Sequence, residues 1–474
     1  MSATLTYNAR HAARLIDFVS NLVPASIPPL AFDNARRCLL DALGCGLFGA
    51  SQPWSSIMSA QLFAEKSQGA STVFGHRTPL AAAAAALCNG TAIHGFELDD
   101  LLPAAIIHPG TVIVPAVLAV AENASAQSEI SGEHLLRAII IGYEVTARIS
   151  LAMGTDASHH GFHKTSIVGP VASAIAASCA LNLNAAQITC AAGIAASMAS
   201  GIKSYVVSGG GGMVKRMHAG WAASSGVRAA LLARDGFTGP SGAVDGRYGL
   251  LEVFGGASAN AAQLTQLTQG LGESWAINAV WFKVYPLCGW IQGVVQLLGQ
   301  LRAQINQGKP LAADQIKKVV VGTSAFAVNG NSNPAPADTM DAQYSIPYCA
   351  ALALMREPGD PRAFEPAAYN DAALRALAAR VETRVDAECE AVYPQRFGSR
   401  VQLHLANGEI KEAATLDPHG TPADPCSDVE LTAKFIQLAA LAPLRVDSAA
   451  IARTVGQLRS ATSLRELSHL LRAA

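Results

Sequence analysis

The stretch that decides the fold runs from Gly169 to Ala199 and reads GPVASAIAASCALNLNAAQITCAAGIAASMA. It consists of alanine, isoleucine and other small residues, and it contains no charged side chain. A helix that is apolar on every side has to be covered by other helices, and small residues let the backbones approach closely. The stretch therefore predicts helices buried inside a helical core.

The sequence around this stretch has the same character. Alanine, leucine and isoleucine recur at helical spacing in FDNARRCLLDALGCGLFGA (Phe32 to Ala50), in TVIVPAVLAVAENA and in SGEHLLRAIIIGYEVTARISLAM. The last of these begins with Ser131 and Glu133, which are residues typical of a helix N-terminus. The fold class is predicted to be mainly α, with a large all-α helical domain.

The pattern changes after a loop rich in glycine and proline, from Arg234 to Gly256. The β-branched run KKVVVGT (Lys317 to Thr323) predicts a strand. Apolar and polar residues alternate on both sides of Asn407 and Gly408 in the segment RVQLHLANGEIKEAA. This pattern predicts a hairpin. We place a smaller α+β domain here.

The C-terminal part returns to helical patterns, and Ser427 with Glu430 fits a capping box. Its composition resembles that of the first domain, so we expect both chain ends to build one helical domain. The predicted division is an all-α domain at 1–264, an α+β domain at 265–415, and C-terminal helices at 416–474 that pack back on the first domain.

Composition excludes several classes of function. Only 15% of the 474 residues are charged and 50% are hydrophobic, whereas about 25% charged is usual, so we expect an oligomer. The net charge of -1 without a basic block argues against a nucleic-acid partner. No apolar run is long enough to span a membrane, and no leader pattern precedes the first helix. Nine cysteines without a CxxC pair suggest a reducing compartment, so we expect a cytoplasmic protein.

Titratable residues are concentrated in HGFELDDLLPAAIIHPG, between two apolar helical runs. Glu97, Asp99, Asp100 and His108 are costly there unless they are paired or functional. A histidine beside carboxylates suits general acid–base chemistry. The alternative is a structural cluster of helix caps and salt bridges.

A second group of histidines lies in SHHGFHKT: His159, His160 and His163. No HExxH motif or nearby cysteine supports zinc, so no metal site is predicted. His163 is the better candidate for an acid–base or hydrogen-bonding role, whereas a solvated loop suits His159 and His160.

Two glycine-rich patterns resemble nucleotide motifs without matching them. Gly44, Gly46 and Gly49 form GxGxxG, but inside a helical run, so close helix packing is the better interpretation. SGGGGMVKRMHAG lacks the phosphate-loop spacing. Bare amides beside Lys215 could hold a carboxylate, and a flexible surface loop is the alternative.

WFKVYPLCGW contains Lys283 among aromatic residues, and DAQYSIPYCAALAL contains Tyr344 and Tyr348. Tyrosines beside apolar helices are most often core residues whose hydroxyl is satisfied. Alone, neither segment indicates a function.

Taken in order, these motifs resemble the MmgE/PrpD family. The family pattern ELDD…HPG…PA, then GxHxT, KxxH(A)G, K-x-YP-x-C and SxPY, runs through the whole chain, and PCSDVEL matches a PLSDEEL-type segment. The resemblance implies a large all-α domain from both chain ends and an α+β lid domain. It also implies homodimers and a site between the domains, with no metal or organic cofactor. Known members include 2-methylcitrate dehydratase, cis-aconitate decarboxylase and iminodisuccinate epimerase.

The resemblance also assigns roles to residues. The catalytic group comprises Glu97, His108, His163, Lys215 and Tyr348, and the substrate-binding group comprises Asp99, Thr165, Gly211, Gly212 and Lys283. Leu101 and Leu102 depart from the family, because many relatives have a polar pair there. This departure favours a less polar or differently shaped substrate than 2-methylcitrate.

These motifs imply a cofactor-independent lyase, a dehydratase or decarboxylase, acting on a small di- or tricarboxylate such as 2-methylcitrate or cis-aconitate. An epimerase or isomerase using the same proton chemistry is the alternative. A helical binding protein that kept the fold without turnover is the third possibility.

Overall fold

The computed structural model describes residues 10–125, 129–206 and 212–472. The chain divides into two compact units. The first contains the described residues of 10–203, 213–280 and 427–472, and the second contains 281–426 with 204–206 and 212. The mainly α fold class is confirmed, since helices dominate and the strands are few. The sequence-based division at residues 264 and 415 stays a prediction.

The first unit is helical throughout. Its helices are α1 (Arg10–Asn21), α2 (Pro29–Gly49), α3 (Pro53–Ala64), α4 (Ala82–Ile93), α5 (Gly110–Ser125), α6 (Gly132–Met153), α7 (Asp156–His159), α8 (Lys164–Ala180), α9 (Ala185–Ala196), α10 (Val214–Arg234), α11 (Leu250–Gly255) and α12 (Ala261–Leu264). The helices predicted from Phe32, Thr111 and Ser131 are therefore confirmed as α2, α5 and α6.

Helices α8 and α10 form the centre of this unit. Every residue of α8 is buried, and α10 packs against α4, α5, α8 and α9. The packing leaves no room for larger residues: a methyl group added to Gly226 would lie 2.0 Å from Ser173 Oγ. A methyl group on Gly90 would lie 2.7 Å from the Cα of Gly220. The small residues of the sequence therefore allow this close packing.

The GxGxxG pattern lies inside α2, as the packing interpretation predicted. A methyl group on Gly46 would meet the ring of Phe74, and one on Gly49 would meet the carbonyl of Ala92. These glycines therefore serve helix packing.

Three C-terminal helices complete the first unit. They are α20 (Asp428–Ala439), α21 (Ser448–Gly456) and α22 (Arg465–Arg472). Helix α20 packs against α2, where Gly44 lies close to Phe435. The predicted capping box is confirmed, because Glu430 N donates to Ser427 Oγ at 3.2 Å and Ser427 N donates to Glu430 Oε2 at 2.8 Å.

The second unit combines short helices with one small sheet. Its elements are α13 (Gln292–Asn306), β1 (Ile316–Thr323), α14 (Ala325–Asn331), α15 (Thr339–Gln343), α16 (Ile346–Met355), α17 (Pro366–Tyr369), α18 (Ala372–Ala378), β2 (Val381–Val385), α19 (Ala387–Ala391), β3 (Ser399–Leu405) and β4 (Ile410–Thr415). The sheet order is β2-β1-β3-β4, with β1 parallel to β2 and antiparallel to β3.

The predicted strand and hairpin are confirmed as β1 and as β3 with β4, which pair antiparallel. Strand β2 was not predicted, because VETRV is largely polar and its partner β1 is distant in sequence. None of the described helices combines the length and the apolar character that a bilayer crossing requires.

Candidate active site

The titratable stretch forms an irregular connection between α4 and α5. It contains two short 3-10 turns, His94–Phe96 and Pro103–Ala105. Glu97 and Ile106 adopt left-handed backbone angles, with φ of 58° and 53°. A side chain rarely adopts this conformation unless its surroundings hold it there, which makes the stretch a candidate functional segment.

Asp99 bridges two histidines in this stretch. Its Oδ2 lies 2.8 Å from Nδ1 of His94 and 2.9 Å from Nδ1 of His108. His94 is fully buried, whereas the side chain of His108 is 14% exposed. The carboxylate therefore orients both imidazoles, and His108 is the more accessible of the two.

Backbone contacts determine the proton position on His108. Its Nδ1 lies 2.8 Å from the carbonyl oxygen of Asp100, which can only accept a hydrogen bond. Nδ1 therefore carries a proton, and in the neutral imidazole Nε2 holds the free electron pair. His108 N also donates to Thr165 Oγ1 at 3.3 Å, which fixes the main chain. His108 is thus arranged as a base through Nε2.

His163 and His218 form a second imidazole pair. Their Nδ1 atoms are 3.0 Å apart, so one ring donates and the other accepts. The rings of His163 and His94 stack with centroids 5.6 Å apart, and those of His94 and His108 lie 5.1 Å apart. The structure therefore brings four histidines into one cluster, from the connection, from the start of α8 and from α10.

Cationic side chains of α10 complete the cluster. Lys215 Nζ donates to Glu97 Oε1, and the Arg216 guanidinium lies 3.8 Å from the same oxygen. Arg216 also lies over the ring of Trp54, 4.9 Å from its centroid. All three charged groups are buried, so their charges are weakly screened. Such a pair of cations beside one carboxylate can attract a further carboxylate.

Burial favours the neutral form of three of the clustered imidazoles, those of His94, His163 and His218. Desolvation lowers the pKa of His94 to about 4, although Asp99 opposes the shift and Lys215 adds to it. Desolvation, followed by Lys215, lowers the pKa of His218 to about 4. Desolvation also lowers the pKa of His163 well below its usual range, and its neighbours His94 and His218 add to the effect. Neutral imidazoles can accept a proton from a substrate.

Asp100 is a buried carboxyl whose pKa is shifted towards neutral pH. Desolvation raises its pKa to about 7, while hydrogen bonds from Tyr143 and Gly110 oppose the shift. The Tyr143 hydroxyl donates at 2.5 Å and Gly110 N donates at 3.0 Å. Asp100 therefore acts as an internal anchor for the start of α5.

One group of the described residues could hold a metal ion: His94, Asp99 and His108, whose ligand atoms lie within 4.8 Å of one another. Nδ1 of His108 donates to the Asp100 carbonyl, so His108 would offer a metal ion its Nε2 atom. The absence of a metal site stays a prediction of the sequence.

The remaining candidates belong to the second unit or lie outside the described residues. Lys283 and Tyr348 belong to the second unit, and both are buried. The hydroxyl of Tyr348 donates to the Ala363 carbonyl at 2.6 Å, as a core tyrosine would. Gly212 is exposed with φ of 59°, and a methyl group there would meet no atom within 4 Å. Gly211 lies outside the described residues.

The cluster also contains residues that the sequence analysis did not propose as site residues: His94, Arg216 and His218. His94 begins the quoted stretch, and Arg216 and His218 follow Lys215 in the glycine-rich segment. Helical spacing could have found His218, because residues three apart share one face of α10 with Lys215.

Family models match nearly the whole chain. The MmgE/PrpD N-terminal domain matches residues 13–263, and the MmgE/PrpD C-terminal domain matches residues 285–456. The chain belongs to the MmgE/PrpD family. The family that the ordered sequence motifs predicted is therefore confirmed.

Curated relatives from the MmgE/PrpD family are named as lyases or lyase-like proteins. A cis-aconitate decarboxylase-like protein of Aspergillus oryzae is 30% identical, covering 97% of this chain and 96% of its own length. A cis-aconitate decarboxylase of Aspergillus terreus is 31% identical over 72% of this chain and 71% of its own length. A 2-methylcitrate dehydratase of Escherichia coli is 27% identical over 73% of this chain and 71% of its own length.

The neutral imidazoles of this MmgE/PrpD chain predict acid lability. Since the pKa values of His94 and His218 are lower in the folded state, the unfolded chain binds more protons between pH 6.5 and pH 4. Stability should fall by about 2 kcal/mol per imidazole between pH 6.5 and pH 5. Asp100 opposes this, because its raised pKa favours the folded state as pH falls from about 7. Urea denaturation at pH 6.5 and pH 5 measures the net loss.

Asp100→Asn supplies the control for that prediction. Asparagine cannot titrate, so the loss between pH 6.5 and pH 5 should become larger than in the parent. A stability that is unchanged between these pH values in both proteins would contradict the neutral-imidazole assignment.

Lys434 of α20 ties the connection to the C-terminal helices. Its Nζ donates to Asp41 Oδ1 at 2.6 Å and to the Leu98 carbonyl at 2.8 Å. Leu98 lies between Glu97 and Asp99, the two carboxylates of the cluster. Lys434 is therefore a positioning residue for the connection that carries the candidate site.

Replacing Lys434 by methionine should loosen the connection and leave the buried Asp41 without this partner. We expect the free energy of unfolding to fall by about 3 kcal/mol. Amide exchange at residues 97–100 should accelerate, and Lys434→Arg should restore much of the protection. Lys309→Met, at an exposed lysine, is the matched control and should change neither quantity. Unaltered exchange in Lys434→Met would refute the positioning role.

Proposed function

We propose that this chain is a lyase that acts on a small polycarboxylate, with decarboxylation of cis-aconitate as the first candidate reaction. The observation that carries the proposal is the buried cluster in which Asp99 links His94 and His108, close to the Lys215–Glu97 pair. A proton-transfer group and an anion-binding cation lie together, which is what this chemistry requires.

Substrate carboxylates would bind to Lys215 and Arg216. Glu97 offsets part of their positive charge, so the site can release as well as bind an anion. Low exposure strengthens these contacts, because little water competes for them. Lys283 and Tyr348 are further proposed substrate contacts, supported by the family motifs alone.

His108 is the proposed proton-transfer residue. In decarboxylation, the bond between the carboxylate carbon and its neighbour breaks, carbon dioxide leaves, and the electron pair shifts through the double bond. The carbon that receives the electron pair must then be protonated. Nε2 of His108 is suited to deliver that proton after it has taken one up from solvent, since Nδ1 is held by Asp99 and the Asp100 carbonyl. His163 and His218 form a second pair that could relay protons.

Two leucines support an unsaturated substrate. Leu101 and Leu102 are buried in the same connection, where many relatives have polar residues. An apolar wall offers no partner for the hydroxyl group of 2-methylcitrate, whereas cis-aconitate has no hydroxyl to satisfy. The Aspergillus terreus relative is named a cis-aconitate decarboxylase and the Aspergillus oryzae relative a cis-aconitate decarboxylase-like protein, which agrees with this choice.

An epimerase of a small dicarboxylate is the second candidate. Epimerisation requires one group to remove a proton and another to return it from the opposite face. The two imidazole pairs, His94 with His108 and His163 with His218, would supply both groups. No group would leave the substrate in that reaction.

One experiment distinguishes these candidates. The purified protein is incubated in D₂O with cis-aconitate, trans-aconitate, citrate, 2-methylcitrate and iminodisuccinate, and the products are followed by NMR and mass spectrometry. We expect cis-aconitate to lose carbon dioxide and gain one deuterium, with activity retained after EDTA treatment. Deuterium uptake by a substrate that loses neither carbon dioxide nor water would favour the epimerase. Absence of both turnover and exchange on every compound would refute an enzymatic function.

We also propose a cytoplasmic homodimer. The low charge content supports an interface, and the largely buried α10 exposes Val214, Trp221 and Leu232. Light scattering should give twice the mass of one chain. Trp221→Glu should shift the protein to the monomer mass, and a monomeric parent would refute the dimer.

A further inference from the structure

A second titratable cluster lies in the second unit, formed by His419, Asp424 and Cys426. Nδ1 of His419 is 3.0 Å from Asp424 Oδ1, and Nε2 of His419 is 3.8 Å from Cys426 Sγ. The order is thiol, imidazole, carboxylate. It belongs to the second unit, whereas the histidine cluster described above belongs to the first unit.

The hydrogen bonds of this cluster determine which atoms carry protons. An ionised Asp424 can only accept, so Nδ1 of His419 carries the proton that it donates. Nε2 then holds the free electron pair in the neutral ring and accepts from the Cys426 thiol. The imidazole is therefore oriented to take the thiol proton, and Asp424 stabilises the imidazolium that results.

The turn that holds the cluster is rigidly anchored. Gly420 has φ of 94°, and a methyl group there would lie 2.0 Å from the Phe282 carbonyl. His419 N donates to Gln296 Oε1 at 2.8 Å, and its carbonyl accepts from Trp281 Nε1 at 3.1 Å. The backbone of His419 is thus fixed on both sides, which preserves the geometry of its ring.

Cys426 differs from Cys349, another thiol of the second unit. Cys349 is fully buried, and its Sγ donates to the Ala342 carbonyl at 3.3 Å, an acceptor that cannot take a proton. Cys426 is 8% exposed and lies beside side chains that are partly open to solvent.

We propose that Cys426 is an activated thiol, a covalent modification site for small neutral electrophiles. His419 takes its proton and Asp424 holds the ring. With iodoacetamide as the electrophile, the bond from the Cys426 sulfur to the methylene carbon forms as the carbon–iodine bond breaks. Iodide leaves with the bonding pair, and the thiol proton stays on Nε2 of His419.

The test measures alkylation rates in the folded full-length chain with limiting iodoacetamide at pH 7. Peptide mass spectrometry assigns the adduct to each cysteine. Cys190, which is more exposed than Cys426, is the internal reference for an ordinary thiol. We expect Cys426 to react about tenfold faster than Cys190, because an ordinary thiol is only a few per cent ionised at this pH. Cys349 is fully buried, so its labelling would indicate that the chain has unfolded.

Variants separate activation from accessibility. His419→Gln should slow the labelling of Cys426 about tenfold, and Asp424→Asn should slow it less. His404→Gln, in β3 of the same unit, is the matched control and should leave the rate unchanged. Equal rates at Cys426 and Cys190, or an unchanged Cys426 rate in His419→Gln, would overturn the proposal.

Discussion

Replacement of His108 by asparagine should lower kcat by about 10²–10⁴-fold, the usual contribution of a general acid or base. The asparagine amide can still donate to the Asp100 carbonyl in place of Nδ1. It offers nothing in place of Nε2, the atom that we assign to proton transfer. The connection between α4 and α5 should therefore keep its structure, while the group that transfers the proton to the substrate is removed.

The measurement is kcat and KM on the substrate identified by the panel, with deuterium exchange as a second readout. His159→Asn is the matched control, because His159 is exposed at the end of α7, and it should retain parent activity. If His108→Asn keeps more than about a tenth of the parent kcat, the assignment is wrong. The proton would then have to come from His163.

Replacement of Lys215 by methionine should affect both stability and turnover. It removes the nearest cation from the buried Glu97 and leaves the more distant Arg216 beside it. Removing one partner of a buried ion pair costs about 3–5 kcal/mol. The substrate also loses its nearest proposed cation, so kcat/KM should fall by at least about a hundredfold. Urea denaturation and steady-state kinetics measure the two effects.

A double substitution separates the two roles of Lys215. In Glu97→Gln with Lys215→Met, no uncompensated carboxylate remains, so much of the lost stability should return while activity stays low. The exposed pair Lys318–Glu382 supplies the control, and Lys318→Met should change stability by less than about 1 kcal/mol. Recovery of activity together with stability would show that Lys215 is only structural.

Local patterns predicted most of the helical fold. Alanine-rich helices without charged residues are apolar on all sides and have to be buried among other helices. The sequence therefore predicts α8 and α9 before any contact is known. The hairpin of β3 and β4 follows from alternation around Asn407–Gly408. Strand β2 escaped prediction, because VETRV owes its conformation to parallel pairing with β1 and not to its own residues.

The candidate site was predicted only in part, for a related reason. Ordered motifs identified Glu97, His108, His163 and Lys215, each with characteristic neighbours in sequence. Nothing in the sequence indicated that Asp99 would bridge His94 and His108.

The contact of Lys434 with the Leu98 carbonyl, 336 positions away, likewise has no local signal. Such contacts depend on how α20 packs against α2.

The amino-acid sequence by itself determined the fold class, the family and the types of residue available for chemistry, because periodicity and short motifs depend on neighbours along the chain. Only the tertiary structure decided which groups share a proton and which are buried. Hydrogen bonding and desolvation depend on distances between segments, and burial gives His94 and Asp100 their shifted pKa values. His108 illustrates both contributions. Its imidazole is visible in the sequence, but its tautomer is fixed by a hydrogen bond to the Asp100 carbonyl, which only the tertiary structure shows.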